Sequence, residues 1–127
     1  MSKLENNKEF FLKQSEYLFS EYINNNEKYK ILAYFRRTPA AWLIMLKIME
    51  SYYADLDIHV EELIKKIPNK ISSRLSIFSL IDDATKKGFI IKNESYGDKR
   101  KKTIKPSEKF IQEYNKWLSA FVSKTTT

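Results

Sequence analysis

Cysteine is absent from the chain of 127 residues, and this absence excludes disulfide bonds and metal sites built from thiolates. The chain has only two Gly and three Pro, a scarcity that is typical of long helices rather than of a β-sandwich with many turns. The longest apolar run, Ala40–Leu46, is far too short to cross a bilayer. Residues 1–8 are polar and lack the apolar centre of a signal peptide. We therefore expect a cytoplasmic protein that does not bind membranes.

Groups suited to catalysis are also scarce. His59 is the one histidine, and the sequence offers no cysteine or second histidine to complete a catalytic or metal-binding set. Four carboxylates lie close to it in sequence, namely Asp55, Asp57, Glu61 and Glu62. The favourable position of acidic side chains at a helix N-terminus explains this cluster better than a metal site does. Asp82 and Asp83 are adjacent and do not face each other on a helix, and no Gly-rich phosphate loop occurs, so the sequence predicts no enzymatic activity and no cofactor.

The basic residues of the chain are distributed unevenly. The net charge is +7, yet residues 1–30 and residues 31–85 are each neutral overall. Residues 86–105 carry eight basic and two acidic side chains, which concentrates a net charge of +6 in one short stretch. A basic surface confined to one element indicates a polyanionic partner such as nucleic acid, although a solvated lysine-rich loop would have the same composition.

The first part of the chain has a helical pattern. Hydrophobic residues make up 43 % of the sequence, which is enough for a core. Residues 4–23 combine helical spacing with many aromatic side chains, whereas residues 28–37 fit a helix and a strand equally well. Thr38 followed by Pro39 is typical of a helix start. The helix that follows, residues 39–53, is apolar almost all round and is therefore expected to be buried.

Two helices joined by a short turn are predicted next. Ile58 indicates a strand of a single rung, and residues 60–67 form a short helix that Pro68 ends. A second helix begins near residue 72 or 73 and runs to residue 87, where Gly88 is a typical C-terminal stop. Two helices with this spacing are typical of a helix-turn-helix unit.

A hairpin and a last helix complete the pattern. Residues 89–93 and 101–105 predict two strands around a turn at 94–98, and Pro106 opens an amphipathic helix. A helix-turn-helix followed by a hairpin is the winged helix-turn-helix arrangement. We therefore predict a mainly α protein with a small β-hairpin (α+β), in which N- and C-terminal helices flank a winged helix-turn-helix.

Three segments follow from this order. Residues 1–37 form an N-terminal helical segment that is a candidate for dimerisation, residues 38–105 form the winged helix-turn-helix core, and residues 106–127 form a C-terminal helix and tail. The aromatic terminal helices are consistent with a two-fold homodimer that presents two recognition helices about one DNA turn apart. They are equally consistent with helices that pack only on their own core.

Residues 38–109 resemble the DNA-binding core of the MarR family of bacterial regulators. TPAAWLIML is similar to the opening of the family's first core helix, and HVEELIKKI is similar to its second helix. KISSRLSIFSLIDDATKKGFIIK is similar to the recognition helix and first wing strand, and GDKRKKTIKPSEK to the wing tip with its Asp-x-Arg pair, here Asp98 and Arg100. The resemblance implies a DNA-binding role and a salt bridge in which Asp98 holds Arg100 in place. It leaves a small-molecule effector undefined.

The predicted helix at 72–87 is the candidate for the major groove. Ile77, Leu80, Ile81 and Ala84 share one face, and small hydroxyls lie near the opposite face, where they could bond to base edges or phosphates. The candidate contacts on and before this helix are Asn69, Lys70, Ser72, Ser73, Arg74, Ser76 and Ser79. Arg74 is a candidate for bidentate contact with guanine, and Leu75 packs either on a neighbouring helix or against a thymine methyl. The alternative is an ordinary solvated helix face.

The predicted wing supplies the remaining candidates. Lys99, Arg100, Lys101 and Lys102 lie at or just after its turn, where phosphate contacts are their natural role and Arg100 could enter the minor groove. The sequence therefore predicts a transcriptional regulator that binds double-stranded DNA. The alternative hypothesis is a winged-helix interaction module that docks on a larger protein without reading DNA.

Overall fold

The computed structural model describes residues 3–24, 27–95 and 98–125. Its helices are α1 (Lys3–Asn24), α2 (Lys30–Phe35), α3 (Pro39–Tyr53), α4 (Val60–Lys66), α5 (Arg74–Lys86) and α6 (Glu108–Thr125). Its strands are β1 (Ile58–His59), β2 (Ile90–Ser95) and β3 (Asp98–Pro106), which form one sheet in the order β1-β3-β2. This mainly helical architecture with a small antiparallel sheet confirms the predicted winged-helix class.

The segment that sequence patterns left undecided, residues 28–37, contains the short helix α2. A distant carboxylate explains the outcome, because Glu113 on α6 accepts a 2.9 Å hydrogen bond from the backbone N–H of Leu32. Ile31, Leu32 and Phe35 are also fully buried. A partner from another helix thus stabilises the first turn of a helix too short to be stable alone.

The start of α3 follows the sequence prediction. The hydroxyl of Thr38 accepts a 3.1 Å hydrogen bond from the backbone N–H of Ala41, and Pro39 occupies the first turn. The α3 side chains Ile44, Met45, Ile48 and Met49 are fully buried, as its almost uniformly apolar sequence predicts.

One hydrophobic core extends through the helices and the base of the sheet. The ring of Phe35 on α2 stacks on Phe110 of α6 with centroids 5.3 Å apart. Ile77 and Ile81 reach the same core from α5, and Ile104 reaches it from β3. The core therefore fixes α5 and the wing relative to the terminal helix α6.

The helix-turn-helix consists of α4 and α5. Ser73 caps α5, since its hydroxyl accepts a 3.1 Å hydrogen bond from the backbone N–H of Ser76. This cap explains why the helix begins at Arg74 and not at residue 72. At the other end, Gly88 adopts a φ of 78°, a left-handed conformation that suits glycine and turns the chain from the helix into β2.

The wing is longer than the sequence pattern predicts. Strand pairing runs from Ile90 opposite Pro106 to Ser95 opposite Asp98, with an irregularity after Glu94. The turn expected at 94–98 is therefore wrong in its extent, because backbone pairing continues through most of it, and residues 96 and 97 lie outside the described ranges. The single-rung strand at Ile58 is confirmed by its pairing with Ile104.

The N-terminal helix α1 is attached to the rest through its last two turns. Tyr17 contacts the ring of Phe121 on α6, and Glu21 is buried against Arg36 and Trp117. None of the helices in the described ranges combines the length and the apolar character that crossing a bilayer requires.

Candidate nucleic-acid interface

The helix α5 has one buried face and one exposed face, as its spacing predicts. Ile77, Ile81 and Ala84 are buried, whereas Ser76 and Ser79 are exposed. Leu75 is also on the outer face and is 79 % exposed. The exposed side chains of α5 therefore include two small hydroxyls and one aliphatic group beside the charged Arg74, Asp82 and Lys86.

The serines at the start of α5 have local roles. The Ser73 hydroxyl caps the helix and donates a 3.0 Å hydrogen bond to the hydroxyl of Ser76. The hydroxyl of half-buried Ser72 lies 3.4 Å from the carbonyl oxygen of Ser73. Ser73 thus holds the first turn of α5 in place, while Ser76 and Ser79 lie on its exposed surface.

Arg74 is tied to α4. Its guanidinium makes a bidentate pair with Glu61, with one N–O distance of 2.9 Å, and its Cζ lies 5.0 Å from the centroid of the Phe78 ring. The hydrogen bond from Arg74 holds the pKa of the Glu61 carboxyl below its usual value, and the same bond raises the pKa of Arg74. The spacing of the sequence did not reveal this pair, since the two residues belong to different helices.

The wing is fastened to α5 by an ion pair. The ammonium of Lys92 on β2 donates a 2.7 Å hydrogen bond to the carboxylate of Asp82 on α5. This bond is the main reason that the pKa of Asp82 is lowered, and the charge of Lys102 on β3 lowers it further. Lys92 and Lys102 lie on the same face of the wing, because Lys92 pairs with Ile104 two residues away from Lys102. We call Asp82 and Lys92 the wing clasp.

The predicted wing cations are only partly covered by the structure. Lys102 is half-buried on β3. The backbone of residues 98–101 belongs to β3, but the side chains of Asp98, Lys99, Arg100 and Lys101 lie outside the described part of the structure. The predicted Asp98–Arg100 salt bridge and the phosphate contacts of these side chains remain predictions.

The turn between α4 and α5 exposes further cations. Asn69 and Lys70 are exposed in a turn that is closed by a 2.9 Å hydrogen bond from the backbone N–H of Ile71 to the carbonyl of Pro68. Lys65 and Lys66 are exposed in the last turn of α4. Helical spacing alone does not single out these two lysines, although their position just before the turn indicates them as further candidates.

A second contact holds α5 against α2. The hydroxyl of Tyr34 donates a 2.6 Å hydrogen bond to the carboxylate of Asp83, and the guanidinium of Arg37 lies 4.1 Å from the centroid of the Tyr34 ring. Burial and the bond to Asp83 raise the pKa of Tyr34. The adjacent carboxylates Asp82 and Asp83 thus fix the two sides of α5, one to the wing and one to α2.

Three of the four acidic residues near His59 have a basic side chain within 4 Å. Asp57 lies 3.9 Å from the ammonium of Lys105, and Glu62 lies 3.6 Å from Nε2 of His59. Within the described ranges, no group of three or more metal-binding side chains is present.

A cavity of about 620 Å³ opens between α1, α6 and the start of α3. The guanidinium of Arg36 lies in its wall within 6 Å of the ring centroids of Tyr22, Trp42 and Trp117. The charge of Arg36 is balanced inside the protein by Glu21. The cavity therefore has the size and the aromatic lining of a small-molecule site.

The sequence matches no protein-family model and none of the curated proteins. The fold is similar to the crystal structure of the heme sensor protein PefR from Streptococcus agalactiae in complex with heme, with a TM-score of 0.56 and 20 % sequence identity. The similarity covers 98 % of this chain and 76 % of that chain. At this identity the similarity shows a shared fold.

Proposed function

We propose that this chain is a winged-helix regulator of transcription that binds double-stranded DNA. In this proposal α5 lies in the major groove, and the β2–β3 wing contacts the adjoining sugar-phosphate backbone. The observation that carries the proposal is the wing clasp, in which Lys92 binds Asp82 at 2.7 Å. Because the clasp joins the outer side of α5 to the wing, both elements can reach one duplex together.

The distribution of charge supports a polyanionic partner. The stretch 86–105, which contains the wing, has a net charge of +6. The exposed Lys65, Lys66 and Lys70 extend the basic surface to the turn at the other end of α5. Cations on both sides of an outward-facing helix can neutralise phosphates on both sides of a groove.

The proposal extends to a homodimer. On α1, Phe11, Leu12, Phe19 and Ile23 are exposed to solvent, and Leu18 and Tyr22 are exposed where they line the cavity beside α6. An apolar face of this size on one helix is typical of a protein–protein interface, and the same face of a second copy would cover it. The inner side of α6 is already occupied, because Phe110, Tyr114 and Trp117 are buried in the core of their own chain. Analytical ultracentrifugation tests the dimer: Phe19→Glu is expected to give a folded monomer.

Two experiments test the function. Duplexes that bind the protein are selected from a random DNA pool, and fluorescence anisotropy then measures their binding at several salt concentrations. Each phosphate contact is expected to steepen the dependence of log K on log salt by about 0.9. Changing Lys99, Arg100, Lys101 and Lys102 to Glu should abolish binding. The matched control makes the same change at Lys13, Lys109, Lys116 and Lys124, which are exposed on α1 and α6 and lie off the proposed dimer face.

The control has the same net charge as the test variant, so a difference between the two variants reports the position of the charge. Equal loss in both would indicate attraction by overall charge alone and would contradict binding through the wing. A folded wild-type protein that binds no selected duplex would contradict the function itself, and the interaction module would become the better hypothesis.

A further inference from the structure

The geometry of α5 points to a specific mode of base recognition, and we infer that Leu75 reads the 5-methyl group of thymine. The inference rests on the proposed function and specifies which base pair α5 prefers. Leu75 is 79 % exposed, although it lies on a helix whose opposite face supplies the core. Ser79 lies one turn further along the same face.

The surroundings of Leu75 allow a close approach to DNA. Ser76 and Ser79 are exposed and small, and the bulkier Phe78 is half-buried, with the Arg74 Cζ 5.0 Å from its ring centroid, so Leu75 is the most exposed apolar side chain on α5. The thymine methyl is the one apolar group that a base pair presents in the major groove, and aliphatic side chains contact it. Such a contact would remove from water an apolar side chain that the free protein leaves exposed.

The side chain expected to read guanine is already engaged. Arg74 makes its bidentate pair with Glu61 and lies over the Phe78 ring, so its planar fork is directed toward α4. A bidentate contact to guanine requires the same fork. In this arrangement the first turn of α5 offers the groove an aliphatic group and hydroxyls in place of a guanidinium.

The charges around Leu75 favour DNA as the occupant of this face. Lys70 precedes the helix, and Lys102 belongs to the wing, whose stretch 86–105 has a net charge of +6. The acidic group on this face, Asp82, is neutralised by Lys92. An apolar contact between two basic regions matches a methyl group in a groove between two lines of phosphates.

Replacing thymine with deoxyuridine tests the inference directly, because this change removes the methyl group and keeps the Watson–Crick pairing. In the tightest selected duplex, each thymine is replaced in turn. We expect the Kd of the wild-type protein to rise about fourfold at one position in each half-site, the loss that corresponds to one buried methyl group. Elsewhere the replacement should have little effect.

Leu75→Ala should raise the Kd for the thymine duplex by a similar factor and abolish the difference between thymine and deoxyuridine. Because alanine favours the helical conformation and residue 75 is exposed, the variant should fold like the wild type. Circular dichroism checks this expectation. The matched control is Leu56→Ala, which removes a leucine that is 67 % exposed between α3 and β1. It should keep the thymine preference, and Arg74→Ala should keep it as well.

The two proposals fail in different ways. Salt-sensitive binding of a duplex with no effect of deoxyuridine at any position would overturn the inference and leave DNA binding intact. A Leu75→Ala variant that still discriminates against deoxyuridine would overturn it too. If no duplex binds the wild-type protein, the proposed function fails, and the inference fails with it.

Discussion

The ammonium of Lys92 on β2 donates a 2.7 Å hydrogen bond to the carboxylate of Asp82 on α5. The Lys92 side chain is only 19 % exposed, because the inner face of the wing packs toward the helix. The partner strand adds Lys102, whose charge also acts on Asp82. This clasp defines where the wing lies relative to the outer face of α5.

A double-mutant cycle measures what the clasp contributes to DNA binding. We expect Lys92→Met to weaken binding in the wild-type background and to have a much smaller effect in the Asp82→Asn background, with a coupling of about 1 kcal/mol. The reason is that each variant breaks the same contact and frees the wing. If Lys92 instead contacts a phosphate directly, Lys92→Met will weaken DNA binding at least as much in the Asp82→Asn background as in the wild-type background. Fluorescence anisotropy with one fixed duplex distinguishes these two roles of Lys92.

Acid should weaken the fold through the paired carboxylates. The pKa of Asp82 is lowered by Lys92, and the pKa of Glu61 is lowered by Arg74. A carboxyl with a lowered pKa stabilises the folded state above its unfolded pKa, about 4, and this contribution is lost as the pH falls through the folded value. Urea unfolding between pH 7 and pH 3 should therefore show a smaller acid loss for Asp82→Asn and Glu61→Gln. Glu16→Gln on α1 is the control and should follow the wild type.

The pair that joins α1 to the core is buried and should be costly to break. Side chains of Glu21 and Arg36 are 5 % and 6 % exposed, and Trp117 donates a 2.6 Å hydrogen bond from Nε1 to the Glu21 carboxylate. Glu21→Gln keeps an acceptor for Trp117 but leaves the guanidinium without a counter-charge, so we expect a loss of about 3 kcal/mol in the free energy of unfolding.

The double variant Glu21→Met with Arg36→Met supplies the comparison. It removes both charges and fills the space with side chains that pack well against aromatic rings. It should therefore be more stable than Glu21→Gln in chemical denaturation. The opposite order would mean that the stability of this junction does not depend on the buried charge of Arg36.

The carboxylate of Glu113 on α6 accepts a hydrogen bond from the backbone of α2. Burial raises the pKa of its carboxyl, and the bond from the Leu32 backbone opposes that rise. A raised folded pKa means that this group's contribution to stability decreases as the pH rises from about 4 through the folded value. Glu113→Gln retains an acceptor oxygen and should be nearly neutral at pH 7. Glu113→Ala leaves the Leu32 N–H unpaired and should cost about 1–3 kcal/mol in thermal or urea unfolding.

The sequence predicted the parts of the fold that depend on local signals. Thr38 with Pro39 marked the start of α3, and Gly88 marked the change from α5 to the wing, because capping and left-handed glycine are properties of a few adjacent residues. The burial of Ile77 and Ile81 followed from helical spacing.

The parts that depend on distant partners could not be predicted. The helix α2 needs Glu113, which is 81 residues from Leu32, and the extent of the wing depends on pairing across the hairpin. In the candidate interface, the exposed position of Ser76 and Ser79 followed from periodicity, but the pairing of Arg74 with Glu61 and of Lys92 with Asp82 did not. Ion pairs between elements carry no fixed spacing in a sequence.

One measurement tests most directly whether α5 and the wing bind one DNA molecule together. The isotopically labelled protein is titrated with a selected duplex, and the amide chemical shifts are recorded at each DNA concentration. We expect the signals of residues 72–82 and of residues 99–102 to shift at the same DNA concentrations, while the signals of the inner face of α6 do not shift. Shifts confined to the terminal helices, or shifts of the wing without those of α5, would contradict this expectation.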